Sequence, residues 1–439
     1  MSLSEYNKFK KDLKNSKTHK FMHLPEEDKK EIFSAHRRDK HKTVWHRGGI
    51  WLEMESKNSP TNQEIVSYRC PTFPYHSLHK CVMTIKTPKI KVMDDFKICF
   101  CKNLFINMVR SFRLFHNEIE LQYGNNLSLF EEVLNDPLWE NYISFHSGNQ
   151  EQLTTPSQEL PSTYLSLTLP FYYSHNRSDA FPLIYCGQKD DLIHQVEFNL
   201  EFSSLLTIFD REGNKIKFNK DLIEVENNSE MMPIPELEGL FSFLEEEDAR
   251  IINSFNKDDV GDDKELYTKS IYYYEDENPK NLDNKVVLKF ANDDKQPVQD
   301  IFWGAKNNTQ TEEENNLVLT FDNNSPTKYT EKLSSSSGVL LANKSSYKTE
   351  FAYHKGKGVL GLNRWSNSNN EKEDGKKFVP GVKCNGGSLI VKLQERTSED
   401  KFVVFSVLKY LKRFRFISYP KSFQERKDMR STVVPDDED

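Results

Sequence analysis

LPFYYSHNRSDAFPLIYCG, Leu169 to Gly187, sets two short apolar runs, ending in aromatics or in cysteine, on either side of a polar knot, Ser174 to Asp179. Each run is too short for a helix and is bounded by turn-forming residues, so the stretch reads as two strands joined by a loop. The same rhythm continues along the chain after Gly48. VEFNLEF alternates strictly, with Val196, Phe198, Leu200 and Phe202 on one face and Glu197, Asn199 and Glu201 on the other, the pattern of a half-buried antiparallel strand. Further runs begin at Cys81 (CVMTIK), Phe96 (FKICFC), Tyr164 (YLSLTLPFYY), Lys285 (KVVLKF), Leu317 (LVLTF), Ser388 (SLIVKL) and Phe402 (FVVFSVLKY). With 30 Phe and 18 Tyr, the composition suits layered sheets better than a helix bundle. The expected class is all-β with few short helices.

One helix is expected at LEEEDARIINSF, Leu244 to Phe255, whose first turn is acidic and complements the helix dipole. The charged stretch NKDDVGDDKE behind it resembles a linker, which places a boundary near residue 260. About eight strands on each side favour two β-sandwiches over one large sheet. SSSSG (Ser334 to Gly338), NRWSNSNNEKEDGKK (Asn363 to Lys377) and the closing VVPDDED read as exposed loops or frayed ends.

A chain of 439 residues holds two or three domains. Its net charge of −7 is unevenly spread: residues 1–50 carry 13 Lys or Arg against 7 Asp or Glu. The amino-terminal arm is therefore basic and the remainder acidic, which argues against extended or sequence-specific contact with nucleic acid. No apolar run reaches the roughly 18 residues of a membrane span, and the first residues lack a secretory core. Folding in the cytosol is the expectation. The six cysteines are sparse and irregularly spaced, and read as reduced, mostly buried thiols.

The search for chemistry leaves no catalytic, cofactor or metal residue. GKGVLG, Gly356 to Gly361, has the form of a dinucleotide loop, but LNRWSNSNN after it is a poor helix, so the glycines read as entry to a strand. Cys70, His76, His79 and Cys81 bring zinc-type donors together in a spacing that matches no recurrent finger, and PTFPYHSLHK reads instead as a loop leading into a strand. Cys99 and Cys101 share one strand face and suit core packing. His36, His41 and His46 do not keep to one helical face, and Glu245 to Asp248 lie in a solvated helix turn. The sequons at Asn227, Asn307, Asn323 and Asn343 have no secretory route to serve them. No enzyme is expected.

The order of several segments resembles the major capsid proteins of nucleocytoplasmic large DNA viruses. The opening stretch is similar to their Pro-aromatic strand, polar turn and Pro-Leu-Ile strand, with Pro170, Phe171, Pro182, Leu183 and Ile184 matching and Gln188 displaced by one. KNLFINMVRSFRLFHNEIELQYGNNLSLFEEVL resembles the segment where a strand pair leads to a Tyr-Gly turn, here Tyr123 and Gly124. FSFLEEEDARIINSF, Phe241 to Phe255, is similar to the aromatic strand and arginine-bearing helix that end the first jelly roll, keeping Arg250 alone of the usual arginines. PVQDIFW, Pro297 to Trp303, resembles the strand that opens the second, and VPGVKCNGG keeps the spacing from Pro380 to Cys384 and Asn385. The resemblance covers residues 80 to 415. It departs at both ends, where the family's amino-terminal signature is replaced by the basic arm and KSFQERKDMRSTVVPDDED follows the last strand.

The resemblance implies a double jelly roll of two eight-stranded antiparallel sandwiches: 1–48 a basic arm, 49–260 the first jelly roll, 261–420 the second and 421–439 a polar tail. It also implies a structural protein of the virion, made and assembled in the host cytoplasm. Its homotrimers would tile an icosahedral shell as pseudo-hexagonal capsomers. Partners would be neighbouring capsomers and, through the arm, minor capsid proteins and an inner membrane; no cofactor is implied. Within the same fold, a poxvirus-like scaffold that shapes an immature membrane is the alternative. A carbohydrate-binding β-sandwich would need a concave aromatic patch flanked by carboxylates, whereas Trp45, Trp51, Trp139, Trp303 and Trp365 stand in scattered contexts.

Overall fold

Eight strands of the first half pair antiparallel: β1 (Gly48–Glu53), β2 (Ile65–Cys70), β3 (Ser77–Lys86), β4 (Val109–His116), β5 (Ile119–Asn125), β6 (Tyr164–Thr168), β7 (Leu192–Phe198) and β8 (Glu236–Phe243). They form sheets of order β1-β8-β3-β6 and β2-β7-β4-β5, the second extended beside β2 by the short strand Glu55–Asn58. The computed structural model describes residues 48–58, 64–134, 142–174, 180–243, 265–275, 285–291, 297–307, 330–334, 347–349, 359–366, 382–383, 388–392, 402–420 and 423–435. Alternation drives the layering. Along β7 every second residue is buried, Leu192, His194, Val196 and Phe198, so one face of the sheet is apolar and must be covered.

The second half repeats this order. Its strands are β9 (Glu265–Glu275), β10 (Lys285–Lys289), β11 (Pro297–Asn307), β12 (Thr330–Ser334), β13 (Val359–Ser366), β14 (Ser388–Lys392) and β15 (Phe402–Ser418). They pair as β9-β15-β11-β13 and β10-β14-β12, with Tyr347–Thr349 added beside β13. Numbered within its own half, with Tyr347–Thr349 counted as the fifth strand of the second, the first sheet of each unit contains the order 1-8-3-6. The second sheet contains the order 2-7-4 in both; strand 5 lies beside strand 4 in the first unit and beside strand 6 in the second. Two units with one Greek-key topology in a single chain make a double jelly roll.

The opening stretch differs from the sequence reading. The strand stops at Thr168, and the apolar runs beyond it form single 3-10 turns at Tyr172–Ser174 and Leu183–Tyr185, with one isolated bridge from Phe181 to Leu78. Pro170 and Pro182 have no N–H to offer a ladder. The runs are apolar because they plug the sandwich: Phe171, Tyr173, Phe181, Leu183 and Cys186 are all fully buried. Similarly, the strand read as Val196 to Phe202 is Leu192–Phe198, with a register shift against β4 at its end, though Leu200 and Phe202 stay buried. PVQDIFW lies in β11, the third strand of its unit and not the opening one, and pairs at Pro297 and Val298 with Lys383 and Val382 of the VPGVKCNGG segment. GKGVLG does enter a strand, since β13 begins at Val359. The Leu244 to Phe255 helix, the boundary near 260, LVLTF, Arg250, Cys384 and His36, His41 and His46 lie outside the described residues.

Within the first core, β3 and β7 meet through a buried triad. The Tyr173 hydroxyl lies 2.5 Å from His194 Nε2 and 3.1 Å from Cys81 Sγ. Burial lowers the His194 pKa from 6.5 to about 3, so the ring is neutral in the fold. Above pH 6.5 neither folded nor unfolded chain carries the charge. Below it the unfolded chain takes up a proton that the fold refuses, and stability falls by about 1.4 kcal/mol per pH unit until pH nears 3. Denaturant unfolding at a series of pH values should show this slope, and His194→Gln should flatten it. An unchanged slope would assign acid sensitivity elsewhere.

Candidate functional site

What holds the two units together is built from local sequence upward. In QYGNNLS, Gly124 lies under the Phe112 ring, where an added Cβ would come within 2.1 Å of the ring. Next to it, Asn125 Oδ1 accepts from the Ser128 amide (2.9 Å) and Ser128 Oγ accepts from the Asn125 amide (3.0 Å), a reciprocal cap that starts helix α1 (Asn126–Leu134). Leu127, Leu129, Phe130 and Val133 anchor the helix in the core. Glu131 is then carried inward, only 2% exposed, to meet Lys409 of β15, 5% exposed, with Glu132 alongside. Burial alone would lower the Lys409 pKa; the Glu131 and Glu132 carboxylates outweigh it and hold the ammonium above the ordinary lysine range. Nearby, Thr268 of β9 donates to the Leu121 carbonyl, and Ser270 Oγ accepts from the Tyr123 amide at 3.1 Å. The second unit thereby satisfies backbone groups along β5, the edge strand of the first.

The second junction is the carboxy-terminal tail. The reading of VVPDDED as frayed does not hold at Thr432–Pro435, which pair with the end of β15, Val433 being 1% exposed. Phe416, near the end of β15, and Tyr419, just beyond it, pack on Tyr185 of the opening stretch. Helix α2 (Phe423–Asp428) then inserts Arg426 into a ring of carbonyls. Its Nε donates to Cys186 O (3.2 Å), and its Nη2 to Thr72 O (2.9 Å), Tyr75 O (2.7 Å) and Leu183 O (2.9 Å). Burial lowers the Arg426 pKa to about 10, opposed by the charge of Asp190, so the guanidinium stays charged at neutral pH.

Beyond α2, the Ser431 amide donates to Asp190 Oδ1 (2.9 Å), its hydroxyl bonds Asp190, and its Oγ lies 3.0 Å from His116 Nε2. Asp190 also accepts from the Gly187 amide at 2.7 Å. Burial pushes the Asp190 carboxyl up, but the bonds from His116, Ser431 and Gly187 prevail and hold it below the usual range. His116, Cys186 and Asp190 place ligand-type atoms within 4.8 Å of one another. The aspartate oxygens are already engaged by the tail, however, and a guanidinium stands beside them, so the arrangement is suited to a clasp. Gly187 is required there by close approach: a Cβ would lie 1.8 Å from the Met429 carbonyl oxygen. Gly187→Ala should therefore force the tail off its seat while leaving the two sandwiches folded. Faster trypsin cleavage around Lys427 and Arg430, both exposed, would register it, and unchanged cleavage would contradict it.

The four zinc-type donors of the sequence do not converge. Cys81 bonds Tyr173, and His79 Nε2 lies 2.7 Å from Ser242 Oγ. Burial and the Arg426 charge lower His76 to about 4. Cys70, Cys81, Cys99, Cys101 and Cys186 are free buried thiols, and burial pushes Cys99 up to about 11 and Cys81 and Cys101 up to about 12. Trp303 is buried and Trp51 lies on a sheet edge, which places neither in a concave aromatic patch. Sequence reasoning missed Arg426, Asp190, His116 and Lys409, because the partners that join them across the fold lie between 240 and 354 residues away.

No family model matches the sequence, and no curated protein is significantly similar to it. Solved structures do match the fold. A crystal structure of PBCV-1 VP54, fitted into a reconstruction of the virophage Sputnik, is 8% identical, covers 89% of this chain and 97% of its own, and superposes with a TM-score of 0.58. The Faustovirus major capsid protein is 8% identical, covering 83% of this chain and 90% of its own at a TM-score of 0.55. A quasi-atomic model of the PBCV-1 virus capsid is 10% identical, with coverages of 84% and 95% and a TM-score of 0.53. At such identities the likeness establishes a shared fold.

Proposed function

We propose that this chain is a major capsid protein, divergent in sequence, that builds a viral shell. One observation carries the reading: a single polypeptide holds two jelly rolls of the same strand order, locked to one another, over nearly the full length of the capsid proteins it superposes on. Three such chains present six similar modules, so a homotrimer acquires a pseudo-hexagonal outline able to tile an icosahedral surface beside other capsomers. Its work is mechanical and not enzymatic, it resides in the virion, and assembly takes place in the host cytoplasm. Closed threefold symmetry makes each contact heterologous, each copy offering two different faces. The basic arm, Met1 to Gly48, is assigned to the inner side, where its charge suits an inner membrane or minor capsid proteins; deleting it should spare the trimer and stop higher assembly.

Size-exclusion chromatography with light scattering tests the core of the proposal. The expected mass is about three times the 51.5 kDa of one chain, and negative-stain images should show a six-lobed outline. A stable monomer at micromolar concentration would overturn it.

A further inference from the structure

The carboxy-terminal tail is held to the first unit with little apolar burial. Among its described side chains from Gln424 to Pro435, only Arg426, Ser431 and Val433 are buried, and none of those that α2 contributes is hydrophobic. A segment with an apolar face stays seated whatever its charge, whereas one held by polar anchors is open to displacement by a proton. Arg426 is also incompletely satisfied: its Nη1 is buried without a hydrogen-bond partner, so the closed seat withholds water from a donor that opening would hydrate. Its guanidinium carbon lies 5.5 Å from the Phe73 ring centroid, and the Tyr75 carbonyl accepts from its Nη2.

His76 shares this seat. It follows Tyr75 in the loop between β2 and β3, and its backbone is pinned on two sides, the amide donating to the Ser242 carbonyl (2.9 Å) and the carbonyl accepting from the Ile184 amide (3.0 Å). The residue cannot leave the seat without breaking both bonds. Burial and the Arg426 charge hold its ring neutral, lowering its pKa to about 4. The Leu183–Tyr185 turn and the Ser242 end of β8 bring no charge to it, and His79 of β3 is engaged with Ser242 Oγ at 2.7 Å. Asp190, the acid of the seat, is engaged by Gly187, Ser431 and His116.

We propose that the tail is an acid-opened latch: a proton on His76 sets a second cation beside Arg426 and drives the guanidinium, and the tail with it, off the first unit. The direction follows from the charges. Above pH 6.5 neither the closed nor the open seat binds the proton. Below it an open seat, with Arg426 gone and His76 in water, takes up the proton that the closed one refuses, so opening gains up to about tenfold per pH unit until pH nears 4. At pH 5 the open population is about 30 times that at neutral pH. The second anchor acts in the other sense: a proton on His116, 3.5 Å from Asp190 Oδ2, would add attraction, and Asp190 itself stays ionised below the usual carboxylate range. At the other junction the ionic groups are Glu131, Glu132 and Lys409, without a histidine, so mild acid loosens one contact between the units and spares the other.

Hydrogen exchange of the full chain from about pH 7.5 to 5, corrected for the intrinsic rate at each pH, tests the latch. The reporting amides are Gln188, which donates to the Arg426 carbonyl (2.5 Å), and Ser431, which donates to Asp190; α1 serves as the internal reference. Protection of the two reporters should fall about 30-fold while that of α1 holds. His76→Gln, which cannot take up the proton, should abolish the fall, and His116→Gln should leave it in place. Protection that does not change with pH in the wild type, a fall that survives in His76→Gln, or one abolished by His116→Gln would each overturn the latch. If His76→Gln does not fold, the wild type decides: a fall confined to the reporters supports the latch, and one shared by α1 is global opening and overturns it. A monomeric wild type, which would defeat the capsid reading, leaves these outcomes unaffected, since the latch lies within one chain.

Discussion

Replacing Lys409 by alanine should cost about 3 to 5 kcal/mol, the range found when one member of a buried ion pair is removed. Glu131, 2% exposed, would lose the Lys409 ammonium that faces it, and Glu132 would repel it across the vacated space. The pair spans the two units, Lys409 on β15 and Glu131 on α1, so the loss is expected to uncouple them. Urea unfolding followed by tryptophan fluorescence should then resolve two transitions where the wild type has one. Lys409→Met combined with Glu131→Gln should recover most of the loss, because the charge to be buried is gone along with its partner. If the single variant unfolds at the wild-type midpoint, the network carries no stability.

Arg426→Ala should have the second largest effect, and a more local one. Four carbonyls, of Thr72, Tyr75, Leu183 and Cys186, lose their donor at once, and bonds from a charged donor contribute roughly 1.5 to 3 kcal/mol each when considered singly. The tail is the element free to move, so the cost appears as its release. An opening free energy reduced by about 3 kcal/mol raises the open population on the order of 100-fold, and trypsin cleavage at Lys427 and Arg430 should accelerate accordingly. Arg426→Lys should restore little, since one ammonium lacks the planar fork that serves carbonyls on several sides. Cleavage at the wild-type rate in Arg426→Ala would show that the tail is held by Asp190 and the β15 pairing instead.

How far the fold was legible follows from which signals are local. Strict alternation marked β7, and the same signal placed strands at Cys81, Lys285, Ser388 and Phe402. It failed at Leu169 to Gly187, because a buried apolar run has no period to separate a strand from packed 3-10 turns, and two prolines decided against the ladder. It overextended β7 to Phe202 for a related reason: Leu200 and Phe202 are buried, but beyond the strand, where Phe202 opens the short helix Phe202–Leu205. The helix α1 had a readable start in Asn125-x-x-Ser128, a cap that apolar periodicity alone overlooks.

Order of strands along the chain, class of fold and the burial of the five described cysteines were determined by the sequence itself, since each depends on residue types that act within a few positions of one another. The tertiary structure alone decided that Arg426 and Ser431 of the tail return to the first unit and that Glu131 faces Lys409. Those outcomes depend on which strands become neighbours, and pairing across hundreds of residues is selected by the burial of whole sheet faces, a quantity that no short window of sequence contains.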